Sequence, residues 1–246
     1  MFNNLLIFIC CLLALFSAVT PSNAAFWIGG EIGPNFSQSF NEHDSVANPA
    51  LGGGTIYNMN PETGIVTGLT LGYDFVNRGL LGANWPDWMK YVSFAIDLTY
   101  NKMNFRSKTV TVLSYYGTFT GLLPNIKGNN IGISFLFMGK YPLMVGNNYE
   151  SGRLAPYIAV GPSIVLTSID WSGANGSQGN STDIGFVVES GIRFMVTPSF
   201  SADLAYRFRF VNPIYYVNFP NGGGKTKVNF DGVKNHMILF RLAYHF

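Results

Sequence analysis

The chain has 246 residues, of which 48% are hydrophobic, 15% aromatic and only 11% charged. Soluble domains carry about a quarter charged residues, so this composition indicates a surface that meets lipid, and a net charge of +2 is too small to indicate nucleic-acid binding. After residue 24, no apolar run is long enough for a spanning helix. A closed β-barrel remains, because only helices and closed barrels satisfy the backbone polar groups in hydrocarbon.

Residues 1–24 have the pattern of a secretory signal peptide. Residues 5–19 form an apolar core, and residues 20–24 place small side chains at the positions that signal peptidases read. Cleavage after Ala24 would leave residues 25–246 as the mature barrel. The segment before the core lacks Lys and Arg, so a membrane anchor is the alternative. Because Cys10 and Cys11 lie in this segment, no disulfide, zinc site or thiol chemistry is expected in the mature chain.

Eight later segments alternate apolar residues with polar or small ones. In residues 200–210, Phe, Leu and Tyr side chains share one face, while Asp203, Arg207 and Arg209 share the other. A period of two is typical of β-strands, and about ten residues at a tilt of roughly 45° cross the hydrocarbon layer. The predicted strands are residues 26–36, 65–75, 91–101, 131–141, 156–166, 183–195, 200–210 and 238–246. The sequence therefore predicts an all-β fold, an eight-stranded antiparallel up-and-down transmembrane β-barrel with long extracellular loops.

Aromatic residues gather at one end of the predicted strands, which favours a membrane barrel over a soluble β-sandwich. If odd-numbered strands run outward, these residues form a girdle at the periplasmic interface. They are Phe26, Trp27, Tyr73, Phe75, Tyr91, Tyr141, Tyr157, Phe194, Phe200, Tyr244 and Phe246. The connections at the opposite end are long, at residues 37–64, 106–130, 168–182 and 211–235.

Three features leave details of the strands and turns open. Pro162 lacks an N–H, and a closed barrel has no free edge for it, so we expect a β-bulge there. Residues 109–116 are also strand-like, which allows either a third strand that projects above the membrane or a barrel of ten strands. The sequence indicates no role for Trp85 and Trp88 in the connection 76–90.

Alternation places eight charged residues inside the barrel. The interior of a small barrel is just wide enough to be filled by side chains, so we expect a paired network that plugs the bore. The alternative is a narrow gated path whose salt bridges rearrange. The eight residues, four acids and four bases, are Glu31, Asp97, Glu189, Asp203, Arg193, Arg207, Arg209 and Arg241.

Four segments carry a family resemblance over nearly all of the mature chain. They are FWIGGEIG at residues 26–33, LGYDF at 71–75, APYIAVG at 155–161 and RLAYHF at 241–246. With them the sequence resembles the OmpA-like family of small outer-membrane β-barrels, also described as porin-family proteins. The resemblance implies a location in the bacterial outer membrane. It also implies that Tyr244 and Phe246 belong to the terminal signal read by the barrel-assembly machinery.

Basic residues lie near the predicted outer rim, where they could meet the phosphates of lipopolysaccharide through charge-assisted hydrogen bonds. The alternative is that these basic residues are ordinary solvated charges of the loops. The residues are Lys102, Arg106, Lys108, Lys127, Lys225 and Lys227.

No catalytic site, metal or cofactor is expected from the sequence. Nucleophilic catalysis needs a Ser or Thr beside an oriented base. His236 could meet Ser114 or Asp183 at the rim, but no feature of the sequence requires that contact. We expect a structural or surface interaction protein that meets outer-membrane lipid, lipopolysaccharide and host or other extracellular molecules. A small-solute porin or gated channel is the second hypothesis, and an outer-membrane hydrolase is the third.

Overall fold

The computed structural model describes residues 26–46, 54–75, 86–106, 108–114, 117–123, 125–146, 149, 152–171, 177–219 and 224–246. The predicted signal segment, the cysteines and Trp85 lie outside these residues. In chain order the strands are β1 (Phe26–Ser37), β2 (Phe40–Val46), β3 (Gly54–Met59), β4 (Gly64–Asp74), β5 (Val92–Lys102), β6 (Lys108–Ser114), β7 (Gly117–Leu123), β8 (Lys127–Lys140), β9 (Leu154–Asp170), β10 (Gln178–Thr197), β11 (Phe200–Val211), β12 (Ile214–Phe219), β13 (Gly224–Phe230) and β14 (Val233–His245).

Eight of these strands close into a barrel in the order β1-β14-β11-β10-β9-β8-β5-β4. Each barrel strand pairs antiparallel with the barrel strands that precede and follow it in the chain. Strand β1 pairs with β14 to close the barrel, with Glu31 opposite Arg241. The predicted eight-stranded up-and-down barrel is confirmed. No helix in the described part of the chain is long and apolar enough to cross a membrane.

The other six strands form a second sheet, in the order β12-β13-β2-β3-β6-β7. The sheet consists of three hairpins, which come from three of the four connections that we predicted as long loops. The strand-like segment at residues 109–116 becomes β6 of this sheet, so the ten-stranded barrel is wrong. Because short turns face the periplasm and long connections face outside, we call it the extracellular sheet.

An apolar cluster joins the extracellular sheet to the top of the barrel, and we call it the apolar cap. Phe230 lies at its centre, with ring centroids 4.9 Å from Phe40 and 5.1 Å from Tyr215. Burial raises the pKa of the Tyr215 hydroxyl above its ordinary value. The cap consists of Phe40, Met59, Met103, Phe105, Ile126, Val165, Ile169, Trp171, Val211, Tyr215, Val217, Val228, Phe230 and Val233. It lies over the mouth of the barrel interior.

Pro162 is accommodated without the predicted β-bulge. Ser134 pairs with Ser163 and Phe137 pairs with Val160, so the register is unchanged on either side of the proline. The ladder with β8 is instead interrupted at Gly161 and Pro162, because proline has no N–H to donate. Pro34 interrupts the ladder between β1 and β14 in the same way.

The predicted aromatic girdle is partly wrong. Phe200, Tyr244 and Phe246 do form an edge-to-face series at the periplasmic end, with centroids 5.0 Å apart. Trp27 and Tyr157 are buried among residues of the barrel interior. They lie on the inward face because Trp27 is an even number of positions from Glu31 in β1, and Tyr157 is an even number of positions from Ala159 in β9. Trp88 lies in a short 3-10 helix, Asp87–Tyr91, with its side chain 61% exposed.

Candidate functional site

The structure places all eight predicted interior residues inside the barrel, each with at most 4% of its surface exposed. Strand β11 shows why, because its buried residues alternate with outward-facing ones and Asp203, Arg207 and Arg209 share the inward face. From the periplasmic end of this strand upward, the inward face passes from Ser201 through these charged residues to Val211 in the apolar cap.

Arg207 lies at the centre of the interior network. Its guanidinium contacts carboxylate oxygens of Glu31 at 3.0 Å, Asp97 at 2.7 Å and Glu189 at 2.6 Å. Thr70 also donates a hydrogen bond to Asp97, at 2.7 Å. One cation therefore connects carboxylates from three different strands, β1, β5 and β10, across the width of the barrel.

Arg241 forms a second junction beside the first. It contacts Glu31 at 2.6 Å, Glu189 at 3.1 Å and Asp203 at 3.5 Å. The Tyr157 hydroxyl donates to Glu189 at 2.9 Å and accepts from Arg241 at 3.4 Å. Because Arg207 and Arg241 share Glu31 and Glu189, the two junctions form one connected network.

Arg193 links this network to the periplasmic end of the interior. It binds Asp203 through two nitrogens, with distances of 3.0–3.2 Å. Its guanidinium also stacks on the Trp27 ring, 4.3 Å from the centroid. Below it, Lys140 pairs with Asp74 at 2.9 Å, and Ser93 donates to the same carboxylate at 2.6 Å.

Arg209 is the exception among the predicted network residues. Within the described residues it has no carboxylate within 4 Å, and its donors reach the neutral oxygens of Thr99, Asn101 and Asn130 at 3.2–3.4 Å. A side chain at Gly132 would overlap its guanidinium, so the glycine leaves the space that Arg209 occupies. Alternation identified the face of Arg209 but not its lack of an acidic partner.

Among the described residues, four further titratable side chains lie in the barrel interior and were not in the predicted network: Asp74, Lys140, Tyr157 and His245. All are buried, and His245 contacts the Ser201 hydroxyl at 3.0 Å. Continuing the alternation to the last residues of β4 and β8 would have placed Asp74 and Lys140 inside. The predicted girdle instead places those strand ends at the membrane interface and includes Tyr157.

The predicted lipopolysaccharide residues do not form one patch. Lys102 and Lys127 have exposed side chains and lie on adjacent strands, β5 and β8, where Lys102 is opposite Asn129. Arg106 is ion-paired with Glu62. Lys227 lies apart from these residues, exposed on β13 of the extracellular sheet. The side chains of Lys108 and Lys225 lie outside what the structure describes.

The histidines have structural contacts. His236 bonds the Tyr206 hydroxyl at 2.5 Å on the outer face of the barrel, and Asp183 accepts from Ser181. His43 joins three parts of the extracellular sheet, through Thr55 at 2.8 Å and Asp231 at 2.6 Å. Among the described residues, no group of three or more His, Cys, Asp or Glu side chains is arranged to hold a metal.

A family model for the outer membrane protein beta-barrel domain matches residues 8–246. The outer membrane protein OprG from Pseudomonas aeruginosa is 18% identical with a TM-score of 0.57, covering 91% of this chain and 96% of OprG. Neisserial surface protein A is 18% identical with a TM-score of 0.49, covering 92% and 100%. The outer membrane protease OmpT from Escherichia coli is 10% identical with a TM-score of 0.47, covering 92% and 100%. No curated protein sequence matches the chain.

Proposed function

Since this chain belongs to the family of outer membrane protein beta-barrel domains, we propose that it is a non-conducting surface protein of the bacterial outer membrane. Its barrel acts as a membrane scaffold, and its extracellular sheet acts as a structural or interaction surface. The filled interior is the observation that supports this proposal. Ion pairs around Arg207 and Arg241 occupy the bore, and the apolar cap lies above them.

The extracellular sheet has side chains suited to contact with host or other extracellular molecules. Tyr57 and Tyr216 are exposed, and so are Leu113 and Leu122. Tyrosine is enriched at protein interfaces because its ring supplies contact area and its hydroxyl a hydrogen bond. An interaction through this sheet would need no opening of the barrel.

The proposal predicts that the protein does not conduct ions across a lipid bilayer. Protein purified from outer membranes and inserted into a planar lipid bilayer should show no discrete conductance steps, because a water path would have to cross both the ion-pair network and the apolar cap. The gel mobility of the same sample should shift on boiling, which establishes that the barrel is folded.

Conductance would favour the second hypothesis, a small-solute channel. Reproducible openings that change when Glu189 is replaced by Gln would mean that the network is a gate, and the non-conducting proposal would fail. Lys227→Gln is the matched control, because Lys227 lies on the extracellular sheet away from the bore.

We further propose that Lys102 and Lys127 contact lipopolysaccharide. Both lie at the outer end of the lipid-facing surface, where Tyr100 and Asn129 are the next exposed residues on the same strands. Tyr100 donates a hydrogen bond to Asn129 at 2.9 Å, so the two strands present lysines, a tyrosine and an amide together. Asp170 lies opposite Lys127 and reduces the local positive charge. Phosphate groups of lipid A match this combination of cations and hydrogen-bond groups.

Replacing Lys102 and Lys127 together by Gln should reduce the lipopolysaccharide that co-purifies with the protein several-fold. The reason is the loss of two solvent-exposed charge-assisted contacts, each worth about 0.2–1 kcal/mol. The amount of bound lipopolysaccharide per barrel is the measurement. Lys227→Gln, with one exposed lysine removed from the sheet, should retain the wild-type amount, and equal retention by the double variant would refute the contact.

A further inference from the structure

The connection between β8 and β9 extends the barrel wall on the periplasmic side. We call the described residues 141–146, 149 and 152–154 the periplasmic hairpin. Tyr141 N–H donates to the Pro156 carbonyl at 2.9 Å, and Leu143 N–H donates to the Leu154 carbonyl at 2.7 Å. The hairpin is therefore held to the end of the barrel by backbone pairing.

The first arm of this hairpin exposes consecutive apolar side chains. Leu143, Met144 and Val145 are all exposed, the last two at 69% and 63%. A turn in water normally has polar residues, as the neighbouring turn between β10 and β11 does with Ser199, shortly after Thr197 at the end of β10. Three successive exposed apolar residues indicate contact with a membrane or another protein.

The position of the hairpin favours lipid as the contact. Phe137 on β8 and Ile158 on β9 are exposed on the outer face of the barrel, which is the face that meets hydrocarbon. Tyr141 continues that exposed face into the hairpin. The apolar surface of the hairpin is thus continuous with the lipid-facing surface of the two strands that it joins.

Arg153 supplies a charge that suits a lipid headgroup. Its exposed guanidinium lies over the rings of Phe194 and Tyr149, 5.3 Å and 5.8 Å from their centroids. Its backbone is fixed, since its carbonyl accepts from Met195 N–H at 2.8 Å. No carboxylate of the described residues lies within 4 Å of it. A planar guanidinium matches two phosphate oxygens at once, and stacking on rings preorganises it.

We propose that the periplasmic hairpin inserts into the inner leaflet of the outer membrane and that Arg153 binds the phosphate of a glycerophospholipid. The site lies at the opposite end of the barrel from the extracellular sheet and the lysines discussed above. It therefore does not depend on the proposed function.

Site-directed spin labelling tests the insertion. Met144→Cys and Thr197→Cys are made in the full chain, labelled and placed in vesicles of phosphatidylethanolamine and phosphatidylglycerol. The wild-type protein, treated identically, reports any label on Cys10 or Cys11. The label at position 144 should be more accessible to oxygen than to a water-soluble nickel chelate, and the label at position 197 should show the reverse. A label at 144 that the chelate reaches freely, or that neither reagent reaches, would overturn insertion into lipid.

Native mass spectrometry tests the phosphate contact. Wild-type protein extracted from outer membranes in mild detergent should retain a bound phospholipid, and Arg153→Gln should lose it. Arg153→Lys should retain part of it, because it keeps the charge without the planar fork. Arg106→Gln is the matched control on the extracellular side. Equal phospholipid retention by wild type and Arg153→Gln would overturn the assignment of Arg153.

Discussion

Replacing Arg207 with methionine is expected to lower the free energy of unfolding by about 3–5 kcal/mol. Arg207 contacts three carboxylates, and its removal leaves Asp97 with no ion-pair partner among the described residues. A buried carboxylate without a partner is costly because the interior cannot solvate its charge as water does. The measurement is urea unfolding of the protein in lipid vesicles, followed by gel mobility.

Arg209→Met is the matched control for this prediction. Arg209 lies two residues further along the same face of β11 and is equally buried, but its described contacts are neutral oxygens. Its loss leaves no carboxylate of the described residues without a cation, so the expected change is less than about 2 kcal/mol. Similar losses in the two variants would mean that filling the bore, rather than pairing its charges, stabilises the barrel.

A double variant separates the charge effect from the packing effect. Because Asp97 pairs with Arg207 alone among the described cations, adding Asp97→Asn to Arg207→Met removes the uncompensated charge. The double variant should recover about 1–2 kcal/mol relative to Arg207→Met. If Asp97→Asn gives no recovery in that background, the cost of losing Arg207 comes from Glu31, Glu189 or the space it leaves.

The barrel could be predicted from the sequence because its signal is local. Each membrane-crossing strand must present apolar side chains to lipid at every second position, so the alternation is visible within a single segment such as residues 200–210. The predicted ends of the strands are less accurate than their existence and order. Strands β9 and β10 extend to Asp170 and from Gln178, beyond the predicted limits, because pairing continues above the membrane where lipid no longer imposes the pattern.

The extracellular sheet could not be predicted in the same way. Its order brings β13 next to β2, with Phe230 opposite Glu42, although the two strands are far apart in the chain. Such pairing depends on the closed barrel, which brings the connections together at one end. The sequence pattern therefore predicts a long loop at residues 37–64 and does not indicate the short strands β2 and β3 within it.

For the interior, alternation indicates the face of a residue but not its partners. It assigned Arg207 and Arg209 to the same face, but it could not show that, among the described residues, one binds three carboxylates and the other binds none. Partners can come from strands on opposite sides of the barrel, such as β5 and β11 for Asp97 and Arg207. They depend on register and tilt, which the sequence pattern does not specify.

Replacing Gly161 with alanine is expected to lower the free energy of unfolding by about 3 kcal/mol or more. A Cβ atom at Gly161 would overlap the Phe135 carbonyl oxygen on β8, which is backbone and cannot move aside as a flexible side chain could. The next residue, Pro162, already lacks an N–H for that strand, so the ladder is open at this point. The methyl group would push the two strands further apart, and the neighbouring pairs would lose hydrogen bonds.

A second Gly-Pro dipeptide in β1 and two other glycines test whether this effect is specific to a glycine that precedes proline. A Cβ atom at Gly33, before Pro34, would overlap the Ile238 carbonyl oxygen, so Gly33→Ala should cost a similar amount. At Gly139 and Gly30 a Cβ atom meets no atom within 4 Å, and alanine there should change stability by less than about 1 kcal/mol.

Urea unfolding of the four variants in vesicles distinguishes these effects. If all four lose the same stability, the glycines act through strand propensity. If only the two before proline lose it, the close approach to the neighbouring strand is the cause, and Gly-Pro is a device that lets a closed barrel accept proline without a bulge.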